Sequence, residues 1–144
     1  MTTVDRAEAR RRLGQARVGR LATADAGGLP HVVPFVFVLD GSTVYWAVDD
    51  KPKRTREIKR LANIRANPNV ELVVDRYQEG WNGLWWVRAA GPARIVEGEA
   101  EAARALELLS AKYRQYRKRP PRGPVVAIEV ARLTWWDGGA AEPE

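Results

Sequence analysis

Runs of apolar residues separated by short polar breaks dominate this chain, and most runs have the length of a β-strand. The stretch "PHVVPFVF" is apolar at almost every position, which is typical of a strand covered on both faces. Polar turns such as "DAGG" and "DGS" separate neighbouring runs and favour antiparallel pairing. The pattern predicts six strands, over residues 16–24, 30–39, 43–48, 70–77, 84–98 and 125–136.

Helical periodicity marks three further segments, which are residues 3–15, about 54–66 and 99–117. Six antiparallel strands with three inserted helices make one mainly β domain, over residues 1–137, without an internal repeat or linker. Closure of the sheet into a β-barrel removes exposed strand edges, so a barrel is the architecture we expect. Residues 138–144, with the sequence "GGAAEPE", are expected to form a loose polar tail.

Composition limits the function classes. The chain carries a net charge of +6, and arginine supplies 19 of its 24 basic residues, which suits recognition of phosphate or carboxylate groups. There is no cysteine, so disulfide and thiolate chemistry are excluded. No apolar run approaches the roughly 18 residues of a membrane span, and the N-terminus lacks an apolar signal core, so we expect a cytoplasmic protein.

The segment "KPKRTREIKR", residues 51–60, has six basic residues among ten. The pattern places Lys53, Arg54 and Thr55 at the start of a helix, where unpaired N–H groups and the helix dipole favour a phosphate. The alternative is a solvated helix face, and Arg56, Lys59 and Arg60 are the residues expected in water.

Pro34 interrupts the second predicted strand. Because proline cannot donate to a ladder, it indicates an edge, a bulge or a place where a ligand meets the backbone. The outer face of this apolar strand needs a flat ligand, a helix or a second subunit to cover it. His31 is the only histidine, and without cysteine it makes a poor metal site. The residues alone favour a structural role for it.

Six tryptophans include two adjacent pairs, Trp85–Trp86 and Trp135–Trp136. Adjacent strand residues point to opposite faces, so one member of each pair is expected in the core. The other member requires a dimer interface or a ligand, and both are compatible with the pattern. No nucleophile–base pair, metal cluster or phosphate-binding glycine motif appears, so redox or transfer chemistry has to come from a bound cofactor.

The chain resembles the split β-barrel flavin and deazaflavin oxidoreductases related to pyridoxamine 5′-phosphate oxidase. The likeness covers residues 8–137 and rests on "VGRLATADAGGLPHVVPFVFVLDGSTVYWAVDDKPKR", "NIRANPNVELVVD" and "WNGLWWVRAAGPARI". "KPKR" together with "LWWVR" is most similar to the small branch that uses the deazaflavin coenzyme F420. The C-terminal "LTWWDGGAAEPE" lacks the substrate-binding Arg and His of the amine oxidase, so the resemblance does not imply amine oxidation.

The resemblance implies a homodimer with cofactor sites at the subunit interface. It places the cofactor ring beside the second predicted strand, the ribityl chain near the third, the phosphate on the basic segment, and tryptophans against the ring or tail. The implied cofactor-binding residues are His31, Val33, Pro34, Phe35, Ala47, Val48, Lys51, Lys53, Arg54, Thr55, Trp81, Trp85 and Trp86.

The implied activity is hydride transfer from the reduced deazaflavin to an electron-poor small molecule. Three alternatives stay open, namely an FMN-binding oxidoreductase of the same fold, a cofactor carrier without catalysis of its own, and a nucleic-acid-binding module. The last is the least supported, because the chain has basic charge and aromatics but no recognisable nucleic-acid motif. No partner other than a second copy and a small-molecule substrate is expected.

Overall fold

The computed structural model describes residues 4–50 and 58–140. The strands in these residues are β1 (Gly19–Ala24), β2 (Pro30–Phe35), β3 (Val38–Asp40), β4 (Thr43–Ala47), β5 (Asn69–Arg76), β6 (Trp85–Ile95), β7 (Val125–Glu129) and β8 (Arg132–Asp137). The helices are α1 (Arg6–Gln15), α2 (Lys59–Ala66), α3 (Glu99–Lys112) and α4 (Arg114–Lys118), with 3₁₀ turns at Trp81–Gly83 and Gly138–Ala140. None of these helices is long and apolar enough to cross a membrane.

All the strand pairs are antiparallel, and the sheet runs in the order β2–β1–β5–β6–β7–β4–β3, with β8 paired to β6 beside this path. The path starts at β2 and ends at β3, which are consecutive in the chain. The sheet therefore curls through a full turn without closing. The prediction of a mainly β split barrel with flanking helices is confirmed.

The predicted strand 30–39 is two strands, because the chain leaves the ladder at residues 36–37. There the N–H of Phe37 donates to the Tyr113 hydroxyl at 3.1 Å, and the Phe37 carbonyl accepts from Lys112 Nζ at 2.8 Å. Side chains from the end of α3 thus satisfy the backbone where the barrel opens.

The predicted strand 125–136 is also two strands, divided at residues 130–131. The division lies over Gly91, where a Cβ atom would collide with the Glu129 carbonyl oxygen. β7 pairs with residues 93–95 of β6, whereas β8 pairs with residues 85–90. β6 continues through Gly91 and Pro92, and its partner strand breaks instead.

Two predicted helices have different bounds. The second begins at Lys59, with Ile58 as an extended N-cap, and not near Arg54. The third ends at Lys112, because Tyr113 is extended (φ −115°, ψ 117°), and α4 continues separately. Tyr113 is buried, and its hydroxyl lies within hydrogen-bond distance of the Arg17 and Phe37 carbonyls, which holds the chain in place at the break.

The tail also differs from the expectation at its beginning. Gly138–Ala140 form a 3₁₀ turn, and the Gly138 N–H donates to the Leu84 carbonyl at 2.8 Å. This contact ties the end of the described chain to the loop before β6. The rest of the predicted tail, residues 141–144, lies outside the described residues.

Two apolar clusters stabilise the fold. The larger fills the barrel and includes the fully buried Leu21, Leu72 and Ile128. The smaller lies between α3 and the outer side of β3, β4 and β7, and includes Tyr45, Ala127 and Leu109. Each buried Leu or Ile contributes about 1.5–3 kcal/mol relative to exposure, so both clusters matter for stability.

Candidate cofactor-binding surface

Alternate residues of five neighbouring strands form an outward side of the sheet that we call the uncovered face. The registers align its members in two rows across β2, β1, β5, β6 and β8, which are Pro34–Arg20–Val73–Arg88–Thr134 and Val32–Ala22–Glu71–Ala90–Arg132. Val32 is 62% exposed, and its row neighbours Ala22 and Ala90 present only methyl groups. This face is therefore shallow and partly apolar.

A groove of about 530 Å³ crosses the uncovered face, and strand residues and strand ends supply its whole lining. Ala22, Ala90 and Pro92 form part of its apolar wall, and Glu71 and Arg132 part of its polar rim. No residue of a described helix lines it. The groove is consequently open to whatever approaches the sheet from outside.

Charges on the uncovered face are mostly paired. Glu71 lies 3.2 Å from Arg88 and 3.8 Å from Arg132, and Arg20 lies 3.8 Å from Asp75. These side chains are 40–70% exposed, so each ion pair contributes little to stability. A ligand or subunit can rearrange these pairs at small cost.

β2 is an edge strand, as Pro34 indicated. The Asp25 N–H donates to the Leu29 carbonyl, which makes this a hydrogen-bonded pair. By the alternation of antiparallel ladders, Pro30, Val32 and Pro34 turn their backbone groups to the free edge. The two prolines therefore cost the sheet no hydrogen bond, and they block a further strand from adding there. The Val32 N–H and the three carbonyls face outward along this edge.

His31 lies on the other side of β2 from Val32, opposite Thr23 of β1. Its Nδ1 is buried and has no hydrogen-bond partner. The neighbouring polar groups are already matched, because Asn63 Nδ2 donates to Thr23 Oγ1 at 2.9 Å. His31 thus brings an unsatisfied polar atom to the edge strand.

The tryptophan pairs divide between the two sides of the sheet, as predicted. Trp85 and Trp135 pack against the barrel core. Trp86 and Trp136 lie opposite each other in register on the uncovered face, with the Arg88 guanidinium 5.1 Å from the Trp86 ring centroid. Trp81, in the 3₁₀ turn before β6, is 74% exposed.

An aromatic cluster joins β2 to β4 inside the barrel. Phe35 meets Trp46 edge to face at 6.4 Å, and the Arg60 guanidinium lies 5.0 Å from the Trp46 ring centroid. Arg60 Nε and Trp46 Nε1 are buried without partners, and burial lowers the pKa of Arg60. The expectation that Arg60 faces water is therefore wrong, whereas Lys59 is exposed as expected.

The structure brings some of the predicted cofactor residues together and separates others. His31, Val33 and Phe35 alternate with Pro34, so β2 presents them on two sides. Ala47 is buried beneath α3, and Val48 belongs to the barrel core. β1 and β5 separate β2 from the strand that carries Trp85 and Trp86. The four remaining residues, Lys51, Lys53, Arg54 and Thr55, lie outside the described residues.

The sequence pattern did not predict that five strands share one uncovered face. Ala22, Val73 and Ala90 lie at alternate positions of β1, β5 and β6, and their small size was a readable signal of a shallow outer surface. Pairing them across three strands required the register, which the sequence does not state.

Comparison with known proteins identifies the family. The family described as pyridoxamine 5′-phosphate oxidase matches residues 6–137, which is most of the chain. The chain belongs to the pyridoxamine 5′-phosphate oxidase family. No sequence among curated proteins matches this family member.

Solved structures agree with that family assignment at the level of the fold. This family member is similar to a conserved hypothetical protein from Mycobacterium tuberculosis, with 21% identity, TM-score 0.77 and coverage of 94% of this chain and 86% of that one. A FAD-binding protein from Mesorhizobium loti has 23% identity, TM-score 0.71 and coverages of 93% and 95%. A haem storage protein from Vibrio cholerae has 14% identity, TM-score 0.70 and coverages of 92% and 93%. Identities this low show the shared fold alone.

Proposed function

We propose that this protein is an oxidoreductase that binds a deazaflavin of the coenzyme F420 type between two copies of the chain. The reduced cofactor would donate a hydride to an electron-poor small molecule. The uncovered face is the single observation that carries the proposal. It supplies a flat, partly apolar surface bordered by an edge strand with free backbone groups.

A second copy is the covering element we propose for this face. Val32 and Trp136 are 62% and 38% exposed, which is costly for large apolar side chains in water. β2 and Trp86 lie three strand spacings apart, or about 14 Å, within one chain. A ligand that touches both the edge strand and a tryptophan is therefore best served by residues from two subunits.

The described residues fit a flat cofactor. Val32 and Pro34 offer apolar contact, and the outward N–H and carbonyl groups of β2 offer hydrogen bonds to a ring edge. Lys51, Lys53, Arg54 and Thr55 would hold the phosphate, as the family resemblance implies.

The preference for a deazaflavin over FMN rests on charge. Coenzyme F420 carries a phosphodiester and an oligoglutamate tail, which are anionic. A chain with net charge +6 has an excess of basic side chains that could bind these anionic groups. FMN is the second candidate, and the FAD-binding protein among the similar structures supports a flavin in this fold. A cofactor carrier without catalysis would use the same surface.

A bound reduced deazaflavin supplies hydride chemistry that the side chains of this protein do not. The protein's own residues bind and orient the ring, exclude water through the apolar members of the uncovered face, and hold the anionic tail. The substrate would occupy the remaining part of the same interface groove.

The test is a fluorescence titration of the purified protein with the deazaflavin and with FMN, reported by the tryptophans. We expect tighter binding of the deazaflavin and a steeper loss of its affinity with salt, because screened charge contacts carry the difference. Equal affinities with equal salt dependence, or protein purified with FMN bound, would favour the flavin.

Charge variants sharpen the same titration. Lys53→Ala and Arg54→Ala each remove a charge-assisted hydrogen bond worth roughly 1.5–3 kcal/mol, so deazaflavin affinity should fall about ten- to a hundredfold. Lys59→Ala is the matched control, because Lys59 is exposed at the start of α2. If Lys59→Ala weakens binding and the other two do not, the phosphate site is misplaced.

A further inference from the structure

A groove beside the end of α3 is lined almost entirely by cations. Its volume is about 640 Å³, and its lining residues are Arg17, Lys112, Arg114, Gln115, Arg117 and Lys118. Five of these six are basic, and none is acidic. We call it the basic groove.

Elsewhere in the described chain, arginines are commonly paired with carboxylates. Arg94 lies 2.7 Å from Glu101, Arg104 lies 3.0 Å from Asp40, and Arg12 contacts both Glu8 and Asp137. No ion pair joins any basic-groove cation to a carboxylate of the described residues. The cations of the basic groove thus differ from these paired arginines.

Neutral groups hold three of these cations in position. The Arg17 guanidinium lies 4.8 Å from the Tyr113 ring centroid, and Lys112 Nζ donates to the Phe37 carbonyl at 2.8 Å. Arg117 Nη1 donates to the carbonyls of Ser110 and Ala111 at 2.9 and 3.0 Å. These contacts order the side chains without neutralising them.

The pKa of Lys112 reflects the lack of an ion pair with a described carboxylate. Burial, and then repulsion from Arg17, lower the pKa of its ammonium to about 8. The positive charge at the bottom of the basic groove is therefore uncompensated within the chain, and an anion would relieve this repulsion.

We propose that the basic groove binds a small polyanion carrying at least two phosphate groups, such as the diphosphate part of a nucleotide. Adjacent phosphates match several cations at once, and arginine's planar fork binds phosphate oxygens in pairs. The site is separate from the uncovered face, because α3 packs on β3, β4 and β7 in the other half of the sheet.

A small ligand fits better than a polynucleotide. The groove is a bounded concavity, whereas single-stranded nucleic acid needs a basic track with stacking aromatics along several nucleotides. Asp49 accepts a hydrogen bond from the Tyr116 hydroxyl at 3.1 Å, which places a carboxylate beside α4. This carboxylate interrupts the basic surface on that side.

The test is calorimetric titration with inorganic pyrophosphate at about 0.15 M ionic strength, where surface charges beyond a Debye length are screened. Arg114→Gln and Lys112→Met should each weaken binding about tenfold. Arg114 is exposed, so its replacement leaves the fold intact even if Lys112→Met alters packing. Arg10→Gln on α1 is the matched control, with the same loss of one exposed charge and no expected effect.

A second readout reports on Lys112 directly. Relative to Lys112→Met, the parent should take up additional protons when it binds pyrophosphate near pH 8, because the anion raises the pKa of Lys112. The dependence of the heat on the ionisation enthalpy of the buffer should therefore differ between the two proteins by this uptake.

The proposal is overturned if pyrophosphate does not bind at millimolar concentration, or if Arg10→Gln weakens it as much as Arg114→Gln. It is also overturned if a 12-nucleotide single-stranded RNA binds through the same residues more tightly than pyrophosphate. A tenfold loss of deazaflavin affinity in Arg114→Gln would make the basic groove part of the cofactor site. Failure of cofactor binding in the parent protein would leave the pyrophosphate result standing.

Discussion

The two halves of the sheet differ in how their outward sides are covered. On β4 and β7 the outward residues Tyr45, Ala47, Val125 and Ala127 are buried, because α3 lies on them. On β2, β1, β5, β6 and β8 the outward side carries Val32, Ala22, Val73 and Ala90, and no helix of the described residues lines the groove across it. One half completes its second layer within the chain, and the other leaves it open.

The two halves should contribute differently to the stability of the fold. The covered half depends on contacts that form on folding, so substitutions there should affect the free energy of unfolding. The uncovered face has small side chains and screened ion pairs, so it contributes less to folding and is available for association or ligand binding. The charged groups differ as well. The uncovered face carries ion pairs, whereas the cations of the basic groove lie at the end of the covering helix α3.

The largest expected effect is on the covered half. Leu109 of α3 is completely buried, so Leu109→Ala should lower the free energy of unfolding by about 2–5 kcal/mol, from lost burial and the cavity left behind. Urea denaturation followed by far-UV circular dichroism measures it. Leu108→Ala on the same helix is the matched control, since Leu108 is only partly buried. If both variants lose equal stability, α3 does not stabilise the fold through the contact described.

A smaller effect is expected where α2 meets the barrel core. Arg60→Ala should cost about 1 kcal/mol, because it removes the guanidinium from the Trp46 ring and exposes part of the indole. Arg60→Met should be close to neutral, since it keeps apolar contact and removes the unpartnered Nε.

Lys59→Ala is the control for this pair and should change stability by less than about 0.5 kcal/mol. Thermal unfolding of the three variants separates them. Equal melting temperatures for Arg60→Ala and Lys59→Ala would indicate that the Arg60 side chain faces water, as the sequence predicted.

These residues also show how far the sequence predicts the structure. Apolar runs and turn residues predicted nearly every strand, and the "DAGG" turn lies where predicted, with Gly28 at a φ of 88°. The pattern failed where a tertiary contact replaces a ladder. The break at residues 36–37 depends on the Tyr113 and Lys112 side chains, which are about 75 residues away in sequence. The break at residues 130–131 depends on the close approach to Gly91.

The candidate site was predictable only in part. Pro34 correctly indicated an edge, and the adjacent tryptophans correctly indicated that one member of each pair packs against the core. The burial of Arg60 was not predictable, because a run of basic residues carries no signal that one of them stacks on a buried indole. The basic groove joins Arg17 to residues of α3 and α4, and only the packing of Tyr113 against the chain before β1 brings them together.

The last expected effect concerns pH and Lys112, at the border of the covered half. Its pKa of about 8 in the folded protein lies below the ordinary 10.5, so the unfolded chain binds the proton more tightly. Stability from this group should therefore rise as pH increases from about 8 to 10.5, and be lowest below pH 8. Melting temperatures of the parent and Lys112→Met at pH 7.5 and 10 test this. The melting temperature of the parent should rise relative to that of Lys112→Met at the higher pH, and a constant difference contradicts this expectation.

We propose that the uncovered face brings two copies together around an anionic flavin-type cofactor. The decisive test is sedimentation velocity of the protein with the deazaflavin, recorded at the cofactor's visible absorbance. The parent should carry the cofactor in a species of about 32 kDa, twice the 16.1 kDa chain. Val32→Glu, at a side chain exposed in the single chain, should fold normally but sediment as a monomer without cofactor. Cofactor that sediments with a monomer of the parent, or equally with Val32→Glu, would contradict the claim.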